Sequence, residues 1–246
     1  MKHWPIWLVP VIAVVAFAAI WALDANRAGF LFLNSLGVHE ALWANVTVLG
    51  DTVVAFALVL PLWRRRPDLL WAFVFVALLG TLWVHGLKPF FDIPRPPAVL
   101  TDVHIIGPAY KAHTFPSGHA TTAFAIGGLY ALGLQFRTGY VIFVTVAFVA
   151  ALSRAVVGVH WPLDILAGAF GGWLAAVIAL DLARRSLTFG SKPWVQWAIA
   201  LFLAGCALWL VIGHDKSGYP QADLFQRAIG ICCLALAAAR LKRAAA

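Results

Sequence analysis

Charge is scarce in this chain. Only 11% of its 246 residues are Asp, Glu, Lys or Arg, and only 10 of those are acidic. A soluble domain of this length needs a far more polar surface, and no segment here has the composition of one. Cysteine is nearly absent too. The three present, Cys206, Cys232 and Cys233, all fall inside apolar runs and read as small packing residues. That excludes an exported disulfide framework. No Cys/His spacing suggests a metal site, and no cofactor is expected. There is no short-period repeat.

What fills the space is hydrocarbon. The chain is 63% hydrophobic with 12 Trp and a mean hydropathy of +0.88. About eight apolar runs have the length and composition of membrane helices. They cover roughly 5–23, 46–63, 69–87, 118–135, 140–158, 163–182, 194–212 and 224–241, the last interrupted by Arg227. The predicted fold is an all-α polytopic bundle. The first run follows Lys2, as a signal peptide would, but its apolar core is long for one and it reads as an uncleaved span.

The net charge of +8 would suit nucleic acid, but its distribution does not. Lys2, Arg64, Arg65, Arg66, Arg137, Arg184, Arg185, Lys192, Arg240, Lys242 and Arg243 all fall on one side of the predicted spans. This is the positive-inside pattern, which makes that side cytoplasmic and puts both termini there. The partners expected are membrane lipids, not nucleic acid. Arg27, Lys88, Arg95, Lys111, Arg154, Lys216 and Arg227 lie on or toward the opposite side. Lys88, Arg95, Lys111 and Arg154 cluster there, and an anionic ligand would explain them.

Between the spans, 24–45 is too polar to cross and rich in Phe, Leu and Trp, as amphipathic interfacial helices are. Residues 88–117 form the longest outer loop and 186–193 an inner linker. His214–Asp223, HDKSGYPQAD, is a polar outer loop. Gly168 and Gly172 form a GxxxG pair suited to close helix packing.

Three polar segments carry the chemistry. In KPFFDIPRP, Lys88 ends a span and Arg95 is held between Pro94 and Pro96 on a stiff extended stretch. Taken alone, the two are an interfacial snorkelling pair. In PSGH, Ser117 and Gly118 open a span. Ser117 is either a plain helix cap or part of an anion site made with the free N–H groups of the first turn. In SRAVVGVHWPLD, Arg154 ends a span, His160 follows, and Asp164 comes four residues later. That spacing puts His160 and Asp164 on one face if the turn is helical. A carboxylate on one imidazole nitrogen fixes the tautomer and raises the basicity of the other.

The predicted span order brings all three segments to the outer face. Three cations and two imidazoles then surround one point, as a tetrahedral dianion requires. Lys88, Arg95 and Arg154 would hold phosphoryl oxygens, with Ser117 and the Gly118 N–H as neutral donors. His160, oriented by Asp164, could attack phosphorus, and His119 could protonate the leaving oxygen.

Lys88 through Arg95-Pro96, then Pro116-Ser117-Gly118-His119, then Ser153-Arg154 with His160 and Asp164, resemble the three-part signature of the type 2 phosphatidic acid phosphatase superfamily. That family includes membrane lipid phosphatases and soluble acid phosphatases and vanadium haloperoxidases. The resemblance covers roughly the first six spans. It implies a metal-independent phosphomonoesterase or pyrophosphatase that works through a phosphohistidine. His160 would be the nucleophile, Asp164 its orienter and His119 the general acid. Lys88, Arg95, Ser117, Gly118 and Arg154 would bind phosphate. The family's membrane enzymes typically have six spans. The expected division is therefore a phosphatase core at 1–186 and a two-span extension at 187–246.

Candidate substrates, by resemblance, are undecaprenyl diphosphate, phosphatidylglycerol phosphate, phosphatidic acid and lipid A phosphates. Asp92, Asp102, His104, Lys111 and His113 in the outer loop read either as solvated loop residues or as residues that tune this choice. A lipid-to-lipid phosphotransferase would use the same motifs. A transporter fits less well, because its polar groups belong at the midplane. A serine hydrolase lacks the G-x-S-x-G turn.

Overall fold

The computed structural model describes residues 4–213 and 217–245. Lys2, His214, Asp215 and Lys216 lie outside the described residues, as do the side chains of Lys242 and Arg243. Among the described residues the regular structure is entirely helical. The α-helices are α1 (Trp4–Ala22), α2 (Asn26–Asn34), α3 (Glu40–Thr47), α4 (Thr52–Ala57), α5 (Pro67–Leu87), α6 (Pro96–Val99), α7 (Gly118–Gly133), α8 (Arg137–Val156), α9 (Pro162–Arg185), α10 (Leu187–Gly190), α11 (Pro193–Ile212) and α12 (Asp223–Ala245).

Five unbroken helical segments are long and apolar enough to cross a membrane, and seven if two bent pairs each count as one. One pair, Ile6–Ala22 with Asn26–Val38, turns by 108°, so α2 leaves the direction of α1. This is the predicted amphipathic segment. It exposes Leu31, Phe32 and Leu36 and buries Phe30. The other pair, Glu40–Gly50 with Thr52–Leu62, bends by 61°. The bend has a local cause in Asp51. Its backbone is extended and its Oδ1 accepts from the N–H groups of Val53 (2.8 Å) and Val54 (3.2 Å), so a new helix is capped there. The remaining predicted span is α7. At 16 residues it is about 24 Å long, shorter than the bilayer core.

α7 is the central element, packed among α5, α8 and α9. Its closest approach is to α9. A Cβ at Gly168 would lie 2.6 Å from the Ser117 carbonyl oxygen, and one at Gly172 would collide with the Thr121 carbonyl. The GxxxG pair thus seats α9 directly on the first turns of α7. Trp173, fully buried on the same helix, donates from Nε1 to the Ile6 carbonyl at 2.7 Å and ties α1 to the bundle.

Proline sets where α5, α9 and α11 begin. Pro67, Pro162 and Pro193 sit at first helical positions, where a missing N–H costs nothing. Arg66 pairs with Asp68 at 2.7 Å and reaches the Gly133 carbonyl at 3.0 Å. The basic start of α5 therefore sits beside the end of α7. The opposite end of the bundle gathers the end of α5, the start of α7, the end of α8 and the start of α9. α11 and α12 pair with each other and pack against α4.

Candidate functional site

At that opposite end Arg95, Ser117, Arg154, His160 and Asp164 are buried, and Lys88 and His119 are half-buried. His160 and Asp164 are each 2% exposed. His160 precedes α9 instead of lying on it, so helical spacing does not create the pair. Asp164, in the first turn of α9, reaches back. Its Oδ2 accepts from the Trp161 N–H (2.8 Å) and lies 3.3 Å from His160 Nδ1. The carboxylate that caps the helix also holds the imidazole.

Thr114 completes this arrangement. It is fully buried. Its hydroxyl donates to Asp164 Oδ2 and lies 3.1 Å from His160 Nδ1. Nothing in the sequence singles out Thr114, a hydroxyl in a polar loop. On the far side of the ring, Nε2 is 3.1 Å from Arg95 Nη1. A guanidinium has no acceptor, so Nε2 carries the lone pair and Nδ1 the proton. Burial, then the charges of Arg95 and Arg154, hold the His160 imidazole well below its usual pKa. It is a neutral base whose Nε2 lone pair accepts from the Arg95 guanidinium.

Arg95 is fixed by its surroundings. Its Nε donates to the Ala112 carbonyl (2.9 Å) and its Nη1 to the Val159 carbonyl (3.0 Å), while its guanidinium lies 5.2 Å from the Tyr110 ring centre. Its backbone is extended, as its flanking prolines require. Burial and the neighbouring Arg154 push its pKa down to about 10. Lys88, just past α5, is also lowered, by burial first and then by Arg95. Charges of one sign have been forced together, which is unfavourable unless an anion joins them.

Ser117 caps α7, its Oγ accepting from the Ala120 N–H at 3.4 Å. Its own N–H donates to the Asp164 carbonyl at 3.1 Å, which locks the start of α7 to the start of α9. The cap geometry is therefore present, and the N–H groups of Gly118 and His119 have no partner within the helix. Gly118, His119 and Lys88 line a cavity of about 180 Å³ between α5 and α7. Thr121 and Thr122 line it deeper in, with Val76 and Ile126 beyond. His119 is set in place by Gly50, where a Cβ would lie 3.1 Å from the histidine Cβ.

Arg154 is buried at the end of α8. Its Nη1 donates to Thr47 Oγ1 at 2.7 Å and to Tyr219 OH at 2.9 Å. Neither hydroxyl was legible in sequence, because both lie far from Arg154 along the chain. The remaining loop residues are peripheral. His104 pairs with Glu40 (2.8 Å) and His113 with Asp92 (3.4 Å), all exposed, and Lys111 is exposed. Asn34 ties the amphipathic segment to this end, donating to the carbonyls of His104 (2.7 Å) and Val156 (3.0 Å).

Residues 68–188 match the family model described as the PAP2 superfamily, and every residue from Lys88 to Asp164 discussed above lies within that match. The lipid A 1-phosphatase of Rhizobium etli is 41% identical over 81 residues, 32% of this chain and 34% of that protein, so the chain spans about a third of that relative's length. The decaprenylphosphoryl-5-phosphoribose phosphatase of Mycobacterium tuberculosis is 30% identical over 174 residues, 67% of this chain and 88% of that protein. The crystal structure of Aquifex aeolicus LpxE superposes with a TM-score of 0.59 at 30% identity, covering 63% of this chain and 94% of that one. With the matching architecture and site, these likenesses mean that the chain belongs to the PAP2 superfamily.

Proposed function

We propose that this protein is an integral membrane phosphatase that hydrolyses a lipid phosphomonoester or diphosphate through a phosphohistidine on His160. One observation carries the reading. The lone pair of His160 Nε2 faces Arg95 at 3.1 Å, while Asp164 and Thr114 hold the other nitrogen. A phosphoryl group that displaces this hydrogen bond would meet the Nε2 nucleophile with the Arg95 charge beside it.

Nε2 attacks phosphorus, and the bond to the leaving oxygen breaks. His119 gives that oxygen its proton. The phosphorylated imidazole keeps its proton on Nδ1 and becomes cationic, which Asp164 stabilises. A water then attacks phosphorus, neutral His119 takes its proton, and inorganic phosphate leaves with Nε2 restored. Lys88, Arg95, Arg154, Ser117 and the Gly118 N–H hold the phosphoryl oxygens throughout. Fixed cations at the developing charge are the arrangement that phosphoryl transfer calls for.

The charge asymmetry supports a site on the outer face of the cytoplasmic membrane, with the arginines at the opposite end cytoplasmic. The names of the two relatives described above, both phosphatases of lipid-linked phosphates, support a substrate of that chemical class. The test is phosphate release by purified protein from undecaprenyl diphosphate, phosphatidylglycerol phosphate, phosphatidic acid and lipid A, with His160→Ala as control. Release from at least one that vanishes in the variant is the expected result. Release only when a second lipid acceptor is supplied would indicate a phosphotransferase.

A further inference from the structure

Arg154 is 2% exposed, yet its hydrogen-bond partners among the described residues are two neutral hydroxyls, Thr47 and Tyr219. A carboxylate in their place would cancel its charge. Hydroxyl acceptors fix the guanidinium and leave that charge available. Both hydroxyls take the same nitrogen, Nη1. The buried Nε has no partner among the described residues, so the opposite edge of the guanidinium is left to a ligand.

Tyr219 does not come from the family region, which ends at residue 188. It stands at the entry to the last helix, in the C-terminal extension, and is 3% exposed. The outer loop is shaped to receive it. Gly107 has φ +82°, and a Cβ there would lie 2.5 Å from the Tyr219 ring. Gly218, φ +72°, lets the chain pass against Pro108, which a Cβ would strike. Ser217 is held by Gln226 Nε2 at 3.0 Å, which braces the segment from α12.

We infer that Tyr219 is a positioning residue for Arg154, and that the C-terminal helix pair thereby belongs to the phosphate-binding machinery. This rests on the proposal that Arg154 binds the substrate phosphate. The extension has a use on this reading: α11 and α12 pack on α4 and deliver one hydroxyl to a buried cation on α8.

The experiment compares Tyr219→Phe, Arg154→Ala and the double variant, reading kcat/KM for the lipid phosphate and inhibition by inorganic phosphate. Tyr219→Phe keeps the ring that Gly107 accommodates and removes only the hydroxyl. It should weaken inhibition by phosphate and lower kcat/KM, each roughly tenfold, the size expected for one hydrogen bond to a charged group. In the Arg154→Ala background it should cost nothing further, a coupling that general loosening of the fold would not produce. Thr47→Val, read in the same cycle, should behave alike and provides the same comparison if Tyr219→Phe lowers thermal stability. Wild-type inhibition in Tyr219→Phe, or losses that add to those of Arg154→Ala, would overturn the inference while leaving the phosphatase reading intact. An Arg154→Ala variant that binds phosphate normally would overturn the assignment of Arg154 itself.

Discussion

At the scale of single residues, the central feature is a neutral histidine among cations. Because burial and nearby guanidinium groups depress the His160 pKa, the unfolded chain takes up a proton at about pH 6.5 that the folded protein refuses. The contribution to stability is therefore intact above that pH and is lost as pH falls below it. The same depression keeps Nε2 unprotonated. The acid limb of kcat/KM, which reports the free protein, should therefore lie below about pH 6.5; a limb at or above that value would contradict the neutral-nucleophile assignment. Thr114→Val removes the hydroxyl shared by His160 and Asp164 and should lower kcat by about 10- to 100-fold with little change in KM. A rise in KM alone would place Thr114 with the binding groups. For His119→Ala, substrates with poor leaving groups should lose more rate than those with good ones, as a proton donor requires. Lys88, Arg95, His119, Arg154, His160 and Asp164 were legible in sequence because a charge or imidazole near a membrane needs a reason. Thr114, Thr47 and Tyr219 were not, because a hydroxyl is unremarkable until its buried partner is known.

At the scale of elements, the site depends on how α7 and α9 meet. Gly168 and Gly172 let α9 lie on the backbone of α7, and the Ser117 N–H bonds the Asp164 carbonyl across that contact. Gly172→Ala puts a methyl group into the Thr121 carbonyl and should destabilise the protein by about 1–3 kcal/mol, measured by thermal unfolding in detergent. Unchanged stability would mean the helices are not packed this closely. The GxxxG spacing was readable, but its partner helix was not, since spacing does not name the facing surface. The His160–Asp164 pairing was also readable, though for a different reason from the one operating. The residues meet because Asp164 caps the helix that His160 precedes. The break at Asp51 escaped a reading based on hydropathy, because an aspartate cap changes an apolar run by one residue only. The shortness of α7 was no clearer, since the predicted run of 118–135 passes the end of the helix at Gly133 by only two residues.

At the scale of the whole molecule, polarity is divided between two ends. Arginines crowd one, and the enclosed cation–imidazole cluster occupies the other. A membrane-impermeant maleimide applied to intact cells should label Thr101→Cys and not Lys192→Cys, in a background with Cys206, Cys232 and Cys233 replaced. The reverse pattern would place the site in the cytoplasm. The all-helical membrane architecture was plain from hydropathy alone, while the contact between Tyr219 and Arg154 was not, because only folding brings the two together. The proposed function turns on one chemical event at one atom, phosphoryl transfer to His160 Nε2. Its most direct test is rapid acid- or base-quench of the protein during turnover of a lipid phosphate, with the phosphorylated residue located by mass spectrometry. The phosphoryl group should appear on His160, survive base and not acid, and be absent from His160→Ala along with turnover. A His160→Ala variant that still releases phosphate, or a phosphoryl group found on another residue, would contradict the account.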